Sequence, residues 1–295
     1  MSDTRKEACG MEYRSLGRTG VTVSALCFGC WEIGGLFWGR VDARKGVALV
    51  RKAMDWGVTT FDTSDVYGNG RSEVILGFAL KGIRDKAVIV TKAGYQVGAD
   101  GAQSLYVEAQ GFVDQRFDAP YLRWQCELSL WRLRSDYVDV FLLHDPSAEV
   151  VEQDEPFEAL QQLKREGKVR LVGVSSSVAV CRRAIERGVV DVVQCDFNFL
   201  NQTAREQLFA LAAEKGIGLM ARRPFAGGQI FRPEHAEKLR LLAPDLPLAE
   251  VAIKFVLSHP EVSTCVTGIL RMKELRQNVK AANPPYPTLV ERRGL

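Results

Sequence analysis

The chain has 295 residues, 46% of them hydrophobic and 25% charged, with Lys+Arg 39 against Asp+Glu 36. A net charge of +3 is too balanced for a protein that tracks a nucleic-acid backbone or lies on an anionic membrane. No apolar run approaches the ~20 residues of a membrane span. The seven cysteines are scattered and odd in number, as expected of free thiols in a reducing cytoplasm. Cys27 and Cys30 form a C-x-x-C, but Ala25 to Phe28 reads as a strand. Along a strand the two sulfurs face opposite sides about 10 Å apart, beyond the reach of a disulfide. No second C-x-x-C completes a metal site, and none is expected.

Residues 1–11 are polar and lack the apolar segment of a signal peptide. They are expected to be a disordered leader ahead of a single domain, 12–295. Tyr13 to Leu16 and Val21 to Ser24, joined by a Gly-rich turn, predict a hairpin. An alternation follows. Apolar runs at 25–28, 58–61, 88–91, 138–143, 169–174, 190–195, 217–221 and 264–267 predict strands. Helical patterns at 43–56, 72–81, 120–133, 156–166, 178–187, 204–215, 248–257 and 272–282 lie after them, several closed by glycine. Short continuous apolar strands are those of a parallel sheet buried on both faces. Eight strand–helix pairs in one chain predict an α/β fold, a (β/α)8 TIM barrel with an N-terminal β-hairpin. The connections Gly94 to Ala119 and Arg222 to Pro247 exceed the usual limit of about 15 residues, and both hang over the face where such barrels carry active sites.

Polar residues end three successive strands. Asp62 ends the second, with Tyr67 in its loop; Lys92 ends the third and His144 the fourth. Any one of them has a bland reading, as a turn cap, a packed ring, a solvated amine or a rim imidazole. Together at one barrel mouth they form a proton-transfer set. A lysine cation is expected to lower the phenol's pKa from its usual value near 10, an aspartate to hold the lysine, and a histidine to hydrogen-bond a substrate oxygen.

The segments F-D-T-S-D-V-Y-G-N-G-R-S-E, V-T-K-A-G, F-L-L-H-D-P and V-G-V-S-S-S, with the opening L-G-R-T-G and F-G-C-W, resemble the aldo-keto reductases, in order and from about Tyr13 to Ala282. The resemblance implies an NAD(P)H-dependent oxidoreductase that interconverts carbonyls and alcohols. It makes Tyr67 the general acid, Lys92 and Asp62 its tuners, and His144 the group that orients the carbonyl. It further implies that Ser175, Ser176 and Gln194 hold the nicotinamide carboxamide, that Gly29, Cys30, Pro224 and Phe225 flank the cofactor, and that Gly227 and Gly228 let backbone N–H groups approach the pyrophosphate. Gly268, Arg271 and Asn278 fall at the adenosine end. Arg222 stands where the family has a stacking tyrosine. A guanidinium stacked there would disfavour the oxidised, cationic nicotinamide; turned to solvent or to a phosphate, it would not. Arg271 and Lys273 favour NADP(H), with NAD(H) also open because Glu274 stands where some members have arginine. Trp31, Phe37, Trp38 and Tyr95 either line the substrate pocket or pack beneath the long loops. The chain end after Ala282 holds Pro284, Pro285 and Pro287, which discourages a closing helix, so an open pocket for aldehydes or small sugars is expected. The expected protein is a cytoplasmic monomer reducing small carbonyls. Sugar oxidation by the same residues, or a cofactor-binding regulator with little turnover, are the alternatives.

Overall fold

A computed structural model describes residues 10–35, 41–96 and 114–286. Eight strands close into a parallel barrel in the order β10-β3-β4-β5-β6-β7-β8-β9. They are β3 (Leu26–Gly29), β4 (Thr60–Asp62), β5 (Val88–Ala93), β6 (Val138–His144), β7 (Val169–Ser175), β8 (Val192–Asp196), β9 (Gly218–Arg222) and β10 (Thr264–Gly268). The protein is thus the expected (β/α)8 barrel. Ahead of it, β1 (Tyr13–Ser15) pairs antiparallel with β2 (Thr22–Ser24).

Side chains alternate across a strand, and here the alternation separates two cores. Cys27, Val90, Val140, Leu142, Leu171, Val192, Met220 and Val266 fill the barrel's interior. Phe28, Phe61, Ile89, Phe141, Leu143, Val172 and Val193 point outward into the layer shared with the helices. The hairpin closes the bottom, since Leu16, Val21 and Val23 join the interior cluster. Gly17 is left-handed (φ 58), and a Cβ there would lie 2.4 Å from the Gly216 carbonyl oxygen, so the hairpin turn can press against the chain entering β9 only as glycine. Cys27 and Cys30 fall in opposite layers, and all six described cysteines are free.

The structure departs from the sequence-based expectation in two places. The predicted helix 204–215 is two helices, Thr203–Gln207 and Phe209–Lys215, broken at Leu208. Leu208 stays fully buried, so the apolar pattern runs on across the break and does not betray it. The long connection after β9 is largely regular: a 3-10 stretch, Ala226–Phe231, and a helix, Pro233–Arg240. Ile230 and Leu239 pack on Val251 and Ala252 to give that connection a small core of its own. Of the other long connection, residues 97–113 lie outside the described residues, as do residues 1–9 of the expected leader 1–11 and residues 287–295. No helix among the described residues is long and apolar enough to cross a membrane.

Candidate active site

The site follows from the same alternation. Lys92 shares a strand face with Val90, His144 with Leu142, Ser175 with Leu171, Gln194 with Val192 and Arg222 with Met220, all lining the interior. Asp62 shares its face with Thr60, whose hydroxyl oxygen accepts from the hairpin's Ser24 N–H at 3.0 Å. Each residue is therefore an inward position beyond an interior side chain, at the C-terminal mouth; Gly173 intervenes between Leu171 and Ser175. Tyr67 arrives on the loop after β4. Gly68, Asn69 and Gly70 are all left-handed there. A Cβ on Gly68 would come within 2.3 Å of the Gly34 carbonyl oxygen, so this loop can lie against the segment after β3 only with glycine.

Lys92 Nζ is the hub. It donates to Asp62 Oδ1 at 2.7 Å, to the Thr63 carbonyl at 2.9 Å and to Tyr67 Oη at 3.2 Å, and it is fully buried. Burial opposes its charge, but Asp62 and Tyr67 outweigh that and hold the ammonium well above the usual lysine range. Burial pushes the Tyr67 phenol up to about 12. Lys92 pulls the other way and Asp62 adds to the rise, so the net shift is opposite to the lowering expected from the sequence. The expectation weighed the cation alone, whereas the fold also desolvates the phenol and supplies an acid that neutralises the cation. His144 is held neutral: burial, then the charges of Lys92 and Arg222, push it well below the usual histidine value. The His144 ring meets Tyr67 edge-on at 6.1 Å and Tyr95 edge-on at 4.8 Å. Trp31 is 38% exposed and tilts over Tyr67 at 6.4 Å.

A second network runs along the other side of the mouth. Gln194 Nε2 donates to Asp62 Oδ2 at 2.7 Å, and Gln194 Oε1 accepts from Ser175 Oγ at 2.8 Å. Both ends of the Gln194 amide are thus engaged within the protein. Ser176 Oγ donates to the Pro146 carbonyl at 3.1 Å. Arg222 is turned inward and tied down within the protein. Its guanidinium donates to Asp196 Oδ1 at 2.7 Å, Ser175 Oγ at 3.0 Å and Asp145 Oδ1 at 3.2 Å. Tyr95 Oη donates to the other oxygen of Asp145 at 3.0 Å. Asp145, Asp196, Ser64 and Asp65 carry no role in the sequence reading. Asp196 had the signal that singled out Asp62, an acid ending an apolar run; the other three lie inside the quoted motifs.

The remaining positions rim the mouth. Gly29 and Gly268 sit in register on neighbouring strands; a Cβ on Gly29 would meet the Thr267 carbonyl oxygen at 2.9 Å, and one on Gly268 would meet Glu32 Oε1 at 1.7 Å. The Cys30 N–H donates to the Asp62 carbonyl at 2.8 Å. Pro224 is buried, Phe225 stacks obliquely on Phe231 at 6.0 Å, and Gly227 and Gly228 are exposed with φ 64 and 89. Arg271 is exposed and Asn278 is buried at the start and on the inner face of the helix Met272–Ala281. Phe37 and Trp38 lie outside the described residues.

Residues 25–289 match the model of the aldo/keto reductase family. Among curated proteins, the chain is 27% identical over 297 residues to an uncharacterised oxidoreductase, YqkF, of Bacillus subtilis, covering 92% of each. It is 30% identical over 299 residues to L-galactose dehydrogenase of Arabidopsis thaliana, covering 92% of this chain and 88% of that protein. Among solved structures it resembles the holo form of the aldo-keto reductase AKR11C1 from Bacillus halodurans at a TM-score of 0.83 and 28% identity, covering 96% of this chain and 94% of the other.

Proposed function

The chain belongs to the aldo/keto reductase family, and from that premise we propose that it reduces aldehydes or ketones to alcohols with a nicotinamide dinucleotide, Tyr67 serving as the general acid. The observation that carries this reading is Lys92 Nζ bridging Asp62 and Tyr67 at the barrel mouth, with the neutral His144 ring beside the phenol. Tyr67 gives its Oη proton to the carbonyl oxygen. The Lys92 ammonium stabilises the phenolate left behind, and Asp62 with the Thr63 carbonyl keeps that ammonium in place. His144 donates a hydrogen bond to the same carbonyl oxygen, which a neutral imidazole can do from one nitrogen. Trp31 walls the site on one side.

The residues present fit a dinucleotide. Gly227 and Gly228 are consecutive left-handed residues on the rim, with open space where a Cβ on Gly228 would stand; successive backbone N–H groups in such a turn make an anion cradle. Arg222, Ser175, Gln194 and Ser176 would border the nicotinamide, and Arg271, Lys273 and Asn278 the adenosine. When bound, the cofactor supplies the hydride. At the adenosine end, Glu274 Oε2 accepts from the Leu270 and Arg271 N–H groups at 2.9 and 3.0 Å. That carboxylate occupies donors a phosphate would use, and leaves a 2′-phosphate to the exposed side chains of Arg271 and Lys273.

Tyr67→Phe tests the assignment. The variant should bind the cofactor as the parent does while kcat for carbonyl reduction falls about a thousandfold; parental turnover would sink it. Titration of both proteins with NADPH and NADH, followed by cofactor fluorescence, decides between the cofactors. Tighter NADPH binding assigns the phosphate to Arg271 and Lys273, and tighter NADH binding makes Glu274 the discriminator. The sugar dehydrogenase among the relatives favours one second reading, aldose oxidation by the same residues, and comparing kcat/KM in the two directions separates it.

A further inference from the structure

Behind His144 lies a buried acid that the reduction chemistry above does not use. Asp65, Ser64 and Glu73 are fully buried. Ser64 Oγ lies 2.9 Å from Asp65 Oδ1 and 3.2 Å from His144 Nδ1. Asp65 Oδ2 has no hydrogen-bond partner among the described residues. Glu73, in contrast, uses both oxygens, accepting from Thr91 Oγ1 at 2.6 Å and from Arg132 Nη1 at 3.2 Å.

Proton counting along this row constrains the histidine. Ser64 has one hydroxyl hydrogen and two neighbours able to accept it. If Asp65 is ionised, Ser64 donates to it, and Nδ1 of the neutral imidazole must then carry its own hydrogen and donate to Ser64. Nε2 is left bare, unable to donate to a carbonyl oxygen. If Asp65 is protonated, it donates to Ser64, Ser64 donates to Nδ1, and the imidazole hydrogen sits on Nε2. Two observations select the second arrangement. A fully buried carboxylate with one oxygen unpartnered is a costly ion. In addition, His144 Nε2 lies 3.9 Å from Asp145 Oδ2, where an N–H is favourable and a lone pair is not.

We propose that Asp65 is protonated at neutral pH and, through Ser64, fixes His144 as the Nε2–H tautomer that donates to the substrate oxygen. Asp65 is then a positioning residue. The inference rests on the reading of His144 as the carbonyl's hydrogen-bond donor. The groups facing this row are Glu73 on the helix Arg71–Ala79 and Arg132 on the helix Ala119–Leu133, both near Asp65. Lys92, Arg222, Asp145, Tyr67 and Tyr95 surround His144. Burial, and then Glu73, push Asp65 up to about 8, against the weaker pull of Ser64, Arg132 and the Val66 backbone N–H. Below that pH the row presents Nε2–H; above it Asp65 ionises, the Ser64 hydrogen turns to it, and Nε2 loses its hydrogen.

Long-range 1H–15N spectra of the imidazoles, with His144→Gln used for assignment, read the tautomer directly in the cofactor-free protein. His144 should be the Nε2–H form at pH 7 and convert toward Nδ1–H with a midpoint at about pH 8. Reductive kcat of the parent should fall above about pH 8 as Nε2 loses its hydrogen, and Asp65→Asn, whose amide donates to Ser64 and cannot ionise, should hold Nε2–H through pH 10 and abolish that fall. Ser64→Ala should uncouple the tautomer from pH. An Nδ1–H imidazole in the parent at pH 7, a tautomer unmoved from pH 6 to 10, or an unchanged alkaline limb in Asp65→Asn overturns the inference. The tautomer is read without turnover, so these failures would leave the proposed reduction standing. Absence of carbonyl turnover in the parent would sink that reaction and leave the tautomer measurement intact.

Discussion

The two ends of the barrel each bury an aspartate with cations, and they use the arrangement differently. Toward the N-terminal end, Asp139 is 1% exposed. It accepts from Arg84 and Arg170 at 2.8 Å each and from the Ile89 N–H at 2.9 Å. The remaining donors of Arg84 go to Ser135 Oγ and to the carbonyls of Ala87 and Tyr137. That cluster joins the start of β6 to its neighbours: Arg84 spends its bonds within the protein, while Arg170 reaches Asp139 from a half-exposed position away from the mouth. At the mouth, Asp62 is held as firmly by Lys92 and Gln194, yet the third donor of Lys92 goes to a phenol packed beneath the half-exposed Trp31. Burial and pairing are common to both ends. What separates a structural ion cluster from a chemical one is where the cation's last hydrogen bond points.

Substitutions at the two ends make the contrast measurable. Lys92→Met should have the largest effect. It removes the cation that, in the proposed reduction, stabilises the Tyr67 phenolate, and it takes from Asp62 its ion-pair partner, so turnover should fall about a thousandfold and stability by about 3–5 kcal/mol, as when a buried pair loses one partner. Steady-state kinetics and denaturant melts of one preparation read both. A variant that loses stability but keeps its turnover would make Lys92 another Asp139.

The phenol's own titration comes next. Tyr67 holds its proton to about 12 in the cofactor-free protein. The absorbance difference between parent and Tyr67→Phe should therefore show almost no phenolate gained up to about pH 10. A phenolate appearing at about pH 8 to 9 would mean that Lys92 prevails over burial. The smallest catalytic effect belongs to Asp139→Ala. It should cost about 2–3 kcal/mol, discounted because Arg170 is half exposed, while kcat of the folded protein stays within about twofold. A selective loss of kcat would erase the distinction between the ends.

The barrel and the Asp62–Tyr67–Lys92–His144 set were legible from sequence, because both rest on one-dimensional signals. Strands buried on both faces are short apolar runs, and a polar residue that ends such a run stands at the mouth of the barrel. Adjacent strands then carry consecutive mouth residues together without any further information. Arg222 was legible as a departure but not as a partner of Asp145, Asp196 and Ser175, since those bonds join β6, β7, β8 and β9 across the mouth. The direction of the Tyr67 shift was misread for a related reason: the charge of a neighbour can be inferred from spacing, but the extent of desolvation cannot. Asp65 shows the division most clearly. Its place next to Ser64 in the motif could be read off the chain. That it is buried, half unpartnered and one hydroxyl away from His144 depends on a contact between β6 and the loop after β4, spanning 80 positions of sequence. Local chemistry and periodicity determined which residues stand at the mouth; only the closed barrel decided which of their hydrogen bonds are already used and which are left for a substrate.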